Sequence, residues 1–306
     1  MGTKIRHMFI NPEEHRLRAG WRLTVFLLAI PVVARIVSLG IKPLFTGTVE
    51  DEVMSWLSRG VVVVIAATLV VGISRRFLDK KTIISLGLRF DWLAVRDLGV
   101  GFVLSGLMVG VIVVALRAFG LLEIQGVGWE GSELTPWVGM FLWFLGIGAA
   151  VGWSEELGFR GYILQNLGEG IGLKWAVGVS CILYGIMHMM SPNASLLSGS
   201  LIAAIGFVRI FGWLRTGQLW LSMGMHAGWN FFQGPVFGFS VSGYSTMSLV
   251  RHSLSGPAWL TGGRFGPEAG IVVLPVVLLG VAVMFYYTGS RGNTPWGQLK
   301  KTDTLP

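Results

Sequence analysis

The chain of 306 residues contains a single cysteine, Cys181, so an intrachain disulfide is excluded and no CxxC metal site exists. Charge is scarce too: 13% of residues are charged and 53% are hydrophobic, whereas a soluble domain carries about a quarter of its residues charged. That shortage excludes an ordinary soluble chain. With a mean hydropathy of +0.66, it indicates an all-α polytopic membrane protein. No HExxH helix is present, so the usual sequence signature of a zinc protease is missing. There is no Gly-rich nucleotide loop, internal repeat or low-complexity tract. The first twenty residues show no short apolar run followed by a small-residue cleavage site, which argues against a removed signal peptide. The net charge of +8 does not point to nucleic acid, because the bases gather at helix ends and tails, as on the cytoplasmic face of a membrane protein.

What is present is apolar sequence in eight segments, at about residues 21–41, 56–73, 98–121, 137–153, 175–190, 196–214, 219–237 and 271–287. Each approaches the ~20 residues that cross a bilayer as a helix, and lipid leaves no other way to satisfy the backbone. The 44 glycines suit helices that pack closely in lipid. Bases mark alternate loops: Lys4, Arg6, Arg16 and Arg18 before the first segment, Arg75, Arg76, Lys80, Lys81 and Arg89 after the second, Arg215 after the sixth, and Arg291, Lys300 and Lys301 at the end. The loops 42–55 and 118–136 are poorer in bases and hold acids, among them Glu50 and Asp51. Eight spans with both termini cytoplasmic satisfy the positive-inside rule. The organisation expected is a basic cytoplasmic tail over 1–20, three helices over 21–136, a core over 137–237, a long irregular or partly re-entrant loop over 238–267, and a last helix with its tail over 268–306. Leu86-Gly87-Leu88 is expected to begin a surface helix that includes Trp92.

Three polar groupings break the apolar sequence. Glu155-Glu156-x-x-x-Arg160 places Glu156 and Arg160 four apart, on one helical face, where they can pair. Glu155 points about 100° away and is free to face a cavity. Tyr184-x-x-x-His188 and His226-x-x-x-Asn230 follow on later segments. Taken singly, each has a bland reading, as a charged helix edge or as interhelical hydrogen-bonding glue. The other histidines, His7, His15 and His252, fall in the tail and the long loop, where they read as surface.

In this order the three motifs resemble the CPBP family of intramembrane proteases, which includes the type II CAAX prenyl proteases and the bacterial Abi-type proteins. The resemblance covers about residues 137–237. Tyr184 stands where the family commonly has Phe, which reads as a packing change. The resemblance implies an integral membrane endopeptidase, placed in a bacterial cytoplasmic membrane, that acts on a membrane-associated protein or peptide, with prenylated CAAX-like chains among the candidates. Peptide hydrolysis needs an activated water, a stabilised oxyanion and a protonated leaving amine. Glu155 is assigned to activate water with His188 holding it, His226 and Asn230 to meet the oxyanion, and Glu156 with Arg160 to orient the site. His188, His226 and Glu155 also match in kind a two-His, one-Glu zinc site. The spacing leaves metal-dependent and metal-independent chemistry both open.

One depth argument constrains the structure. If the fourth segment ended at Trp153, Glu155 would sit at the inner edge, with His188 roughly 20 Å and His226 roughly 10 Å above it at 1.5 Å per residue. The fourth helix is therefore expected to continue through the motif to about Leu167 and to break at 168–172, with the 155–160 turn facing a water-filled cavity. Two other classes compete. An ion-coupled transporter also uses intramembrane Glu, Arg and His, but tends to show two corresponding halves, and none is visible. A catalytically silent scaffold or immunity protein would leave the polar residues unconverged.

Overall fold

The computed structural model describes residues 7–45, 52–127, 135–246, 248–289, 291 and 294–295. Lys4, Arg6, Lys300, Lys301, Glu50 and Asp51, used above to orient the chain, lie outside the described residues. Each of the eight apolar segments forms a helix. These are α1 (Ala19–Ile41), α2 (Glu52–Ile73), α3 (Trp92–Ala118), α4 (Trp137–Ile171), α5 (Leu173–His188), α6 (Leu196–Thr216), α7 (Trp220–Phe231) and α8 (Val273–Thr288). Long side chains such as Leu28, Ile36, Leu107, Val114, Ile182 and Leu278 point outward. That is the inverse of a soluble surface and what a bilayer covers. The chain is an integral membrane protein.

Five of the eight helices, α1, α2, α3, α4 and α6, are long and apolar enough to span a bilayer. The expectation of eight full spans is narrowed to that extent. Helices α5 and α8 have 16 residues each, or about 24 Å at 1.5 Å per residue, short of a ~30 Å hydrocarbon core. The 12-residue α7 runs into an i→i+5 turn, Phe232–Val236, and is almost wholly buried among the others.

Helix α4 runs on past Trp153 to Ile171, as the depth argument requires, and ends at Gly172, whose φ of 81° breaks the helix. It is not uniform. Two stretches, Phe144–Ala149 and Glu156–Ile163, are wound as wider i→i+5 turns, a feature that recurs at functional sites. Helix α2 lies parallel to α4: Trp56 meets Trp143 edge to face, and further along Trp153 Nε1 donates to Thr68 Oγ1 at 3.0 Å.

Two other expectations are corrected. Residues 83–86 form one 3-10 turn that ends at Gly87 (φ 103°), and α3 starts at Trp92, N-capped by Asp91, whose side chain accepts from Ala94 N at 3.1 Å. The glycine and the cap place the boundary after 86–88. The region 238–267 is more ordered than an irregular loop: it contributes β4 (Val250–Leu254), which pairs antiparallel with β3 (Leu122–Val127). Two short strands, β1 (Ile10–Asn11) and β2 (Arg16–Leu17), form a hairpin.

The hairpin is held by a buried ionic knot. Arg22 and Arg75 each donate to Asp79 at 2.8 Å, and Glu169 at the end of α4 accepts from Arg16, Arg22 and Lys81. Charges in a bundle stay only when paired in this way. The knot anchors the end of α4 to the hairpin, to α1 and to the turn after α2.

Helices α3 and α7 approach closely, with Ser105 Oγ donating to Met225 O at 2.7 Å. A side chain added at Gly101 would stand 2.7 Å from Met225 N, in backbone that cannot yield, whereas at Gly110 of the same helix it would meet nothing within 4 Å. Gly101→Val is expected to destabilise the detergent-solubilised protein by about 1–3 kcal/mol, with Gly110→Val close to neutral. Thermal unfolding of the two variants side by side checks the pair.

Candidate active site

The three motifs converge. Glu155, Tyr184, His188, His226 and Asn230 all line one cavity of about 580 Å³, within the usual ~300–1,000 Å³ of a ligand site. Trp143, Ile147, Val151 and Glu155 line it at four-residue intervals along α4, a stripe roughly 18 Å long at 1.5 Å per residue. Its walls otherwise come from α2 through Trp56 and Arg59, from α5 and α6, and from the loop between α7 and α8 through Val241, Ser242 and Tyr244.

Glu155 is the last residue before the wide turn of α4 and Glu156 the first within it. The two carboxylates diverge. The side chain of Glu155 is 20% exposed, into the cavity, and that of Glu156 is 0% exposed. Glu156 Oε1 meets Arg160 Nη1 at 3.3 Å, the pair expected from the four-residue spacing, and also His226 Nδ1 at 2.9 Å and Arg209 Nε at 4.0 Å. With two guanidinium groups on the same oxygen, the carboxylate is the acceptor and Nδ1–H of His226 donates to it. Nε2 of the same ring is left facing Glu155 Oε2 at 3.9 Å. His226 is thereby oriented by the residue next to the one it faces.

His188 Nδ1 lies 2.9 Å from Tyr184 O, one turn back on α5, which turns the rest of the ring to the cavity. Asn230 Nδ2 donates to Gly148 O at 3.1 Å, tying α7 to α4 and leaving its second amide hydrogen free. All six residues singled out from the sequence, Glu155, Glu156, Arg160, His188, His226 and Asn230, are thus in or directly behind one cavity.

Tyr184 is not a packing change. Its hydroxyl donates to Glu155 Oε2 at 2.8 Å and accepts from Arg209 Nη1 at 2.5 Å, contacts that a phenylalanine cannot make. Arg160 lies over the same ring, 4.3 Å from its centroid, and reaches Gly206 O at 3.2 Å. A Cβ at position 206 would stand 3.1 Å from the Tyr184 ring and 3.4 Å from Arg160 Nη2, so a glycine is what lets α6 admit both.

Sequence reading missed three charged residues of the cavity, Arg59, Arg209 and Glu268. Arg209 is buried in the middle of α6. A lone arginine in an apolar span is itself a signal of function, and it carries no motif. Glu268 is buried just before α8 and accepts from Trp229 Nε1 at 3.0 Å, Ser242 N at 2.6 Å and Ser242 Oγ at 2.9 Å. It pins the loop between α7 and α8 onto α7, beside the cavity. Nothing near it in sequence marks it.

The residues do not fit a metal centre as they stand. Among the described residues, no three His, Cys, Asp or Glu side chains are grouped so as to hold an ion.

Removing charge behind the cavity has a larger effect than removing a neutral contact within it. Glu156→Gln strips the anion from Arg160, Arg209 and His226 and is expected to cost about 3–5 kcal/mol, as for other broken buried pairs. Asn230→Ala removes one amide hydrogen bond and is expected to cost about 1 kcal/mol. Unfolding in a mild detergent, followed by tryptophan fluorescence, ranks the two.

Comparison with known proteins agrees with the motif reading over the same stretch. YyaK of Bacillus subtilis (strain 168), an uncharacterized protein, is 34% identical over 86 residues, covering 26% of this chain. The match takes in only 28% of that relative's length. No solved structure matches the chain. Residues 136–232, which hold Glu155, Glu156, Arg160, Tyr184, His188, His226 and Asn230, match the Rce1-like family, described as type II CAAX prenyl endopeptidase Rce1-like.

Proposed function

We propose that this protein is an intramembrane endopeptidase that hydrolyses a peptide bond in a membrane-associated substrate. The observation that carries the reading is the convergence of Glu155, His188, His226 and Asn230, from three helices, on one cavity with an apolar approach. A silent scaffold has no use for that convergence. A transporter would pair its intramembrane charges along a path rather than gather them at one end of an apolar stripe. The matched family's description supplies the substrate class to test first, a prenylated C-terminal peptide.

In this reading Glu155 is the base. One of its oxygens receives the Tyr184 hydrogen bond, and the other is open to the cavity. Water held between Glu155 and His188 loses a proton to Glu155 as its oxygen attacks the scissile carbonyl. The negative charge that develops on the carbonyl oxygen is met by the free amide hydrogen of Asn230 and by His226 Nε2. That nitrogen donates when the ring carries both protons, with Glu156 holding the other one. Glu155 then returns its proton to the leaving amine. Glu156 and Arg160 touch no substrate and keep His226 and the wide turn in place. Donors fixed in advance in a water-poor site are worth far more than the same groups in water. The steps use side chains alone.

Glu155→Gln preserves shape and removes the base. Membranes carrying it are expected to lose cleavage of a farnesylated, internally quenched peptide by at least about a thousandfold, because base and electrostatic contributions are lost together. Cleavage by the wild type is expected to survive a strong chelator, with metal analysis of the purified protein finding less than one equivalent of zinc. Retained cleavage by Glu155→Gln sinks the reading, and loss of activity to the chelator with recovery on adding zinc sinks the side-chain-only chemistry.

A further inference from the structure

Tyr184 and Arg209 form a chain into Glu155 that none of the three motifs requires. Arg209 Nη1 donates to the Tyr184 hydroxyl at 2.5 Å, and that hydroxyl donates to Glu155 Oε2 at 2.8 Å. Both side chains are buried, Tyr184 on α5 and Arg209 on α6. The hydroxyl hydrogen bond falls on the same glutamate oxygen that faces His226 Nε2 at 3.9 Å. It therefore fixes the rotation of the carboxylate and directs the second oxygen, Oε1, to the cavity. Glu155 sits at the junction of an α-helical stretch with a wide turn, and it receives no other hydrogen bond among the described residues.

Arg209 depends on the hydroxyl in return. Its hydrogen bond to Tyr184 is accompanied by one long approach to Glu156, at 4.0 Å. With Phe at 184 the guanidinium loses its hydrogen bond and keeps the ring face, 5.8 Å away, and the distant Glu156 carboxylate, while Glu155 loses its anchor. The hydroxyl and the guanidinium thus belong together as one unit.

We infer that Tyr184 is a positioning residue for Glu155 and that Arg209 acts through it, the hydroxyl holding the base in the rotamer that presents one oxygen to water. The inference rests on the endopeptidase reading of the cavity. Tyr184→Phe keeps ring and volume. It is expected to lower kcat on the farnesylated quenched peptide by about 10–100-fold with KM changed less than about twofold, the scale of losing a partner that orients a reacting group. Arg209→Lys is expected to lower kcat in the wild-type background and to add less than about twofold in the Tyr184→Phe background, since residues that act as one unit are not additive. A packing role predicts a neutral Tyr184→Phe and independent effects, and either result overturns the inference.

A second measurement needs no substrate. Infrared difference spectra between wild type and Glu155→Gln identify the Glu155 carboxylate stretch. Its frequency is expected to differ in Tyr184→Phe, and an unchanged frequency overturns the inference. The two readings fail separately. A wild type that cuts no peptide, or a Glu155→Gln that cuts like wild type, removes the endopeptidase reading while the spectrum still decides whether the hydroxyl holds Glu155. A wild type that cuts, with Glu155→Gln inactive and Tyr184→Phe unimpaired, removes only the inference about Tyr184.

Discussion

One carboxylate oxygen, Glu156 Oε1, is the point on which the structure of the core turns. Arg160 of the same helix, Arg209 of α6 and His226 of α7 all approach it. A fully buried carboxylate is tolerable only when charge and hydrogen bonds offset its lost hydration, so three helices must hold their register to keep that oxygen satisfied. The adjacent residue inherits its position from this requirement. A rotation of α4 by one residue, about 100°, would exchange Glu155 and Glu156, leaving the cavity carboxylate tied between arginines and the other one unpaired. The wide turn that begins at Glu156 is wound inside this constraint.

The sequence made much of this legible for a simple reason: spacing of four on a helix is a statement about one face. Glu156 with Arg160, and His226 with Asn230, needed only that. The run of α4 beyond Trp153 was legible too, through the rise per residue, because three groups at incompatible depths force a helix to move. What could not be read is whatever depends on two distant helices meeting. The Tyr184 hydroxyl looked like a change of packing because its partner, Arg209, lies 25 residues away on another helix. Glu268 anchors to Trp229 and Ser242 across a fold that sequence spacing does not encode. The span count was not legible for a related reason. Apolar length alone does not separate a segment facing lipid from one such as α7, enclosed by its neighbours.

The buried carboxylates differ in how far their oxygens are taken, and this difference separates structure from chemistry. Asp79 receives Arg22 and Tyr162 on one oxygen and Arg75 and Asn166 on the other. Glu156 faces two arginines and a histidine. Glu268 accepts three hydrogen bonds that bind a loop to a helix. On Asp79 and Glu268 an incoming proton must first displace a partner, and Glu156, whose Oε2 has no hydrogen bond, is sealed from the cavity with none of its side chain exposed. Glu155 is the exception: one hydrogen bond, from an uncharged donor, on one oxygen, with the side chain open to the cavity. Acid–base work requires a group that can exchange a proton without dismantling its surroundings. By that criterion the fold itself sorts its carboxylates, and a carboxylate left this lightly paired in an apolar bundle is the one the proposed chemistry draws on.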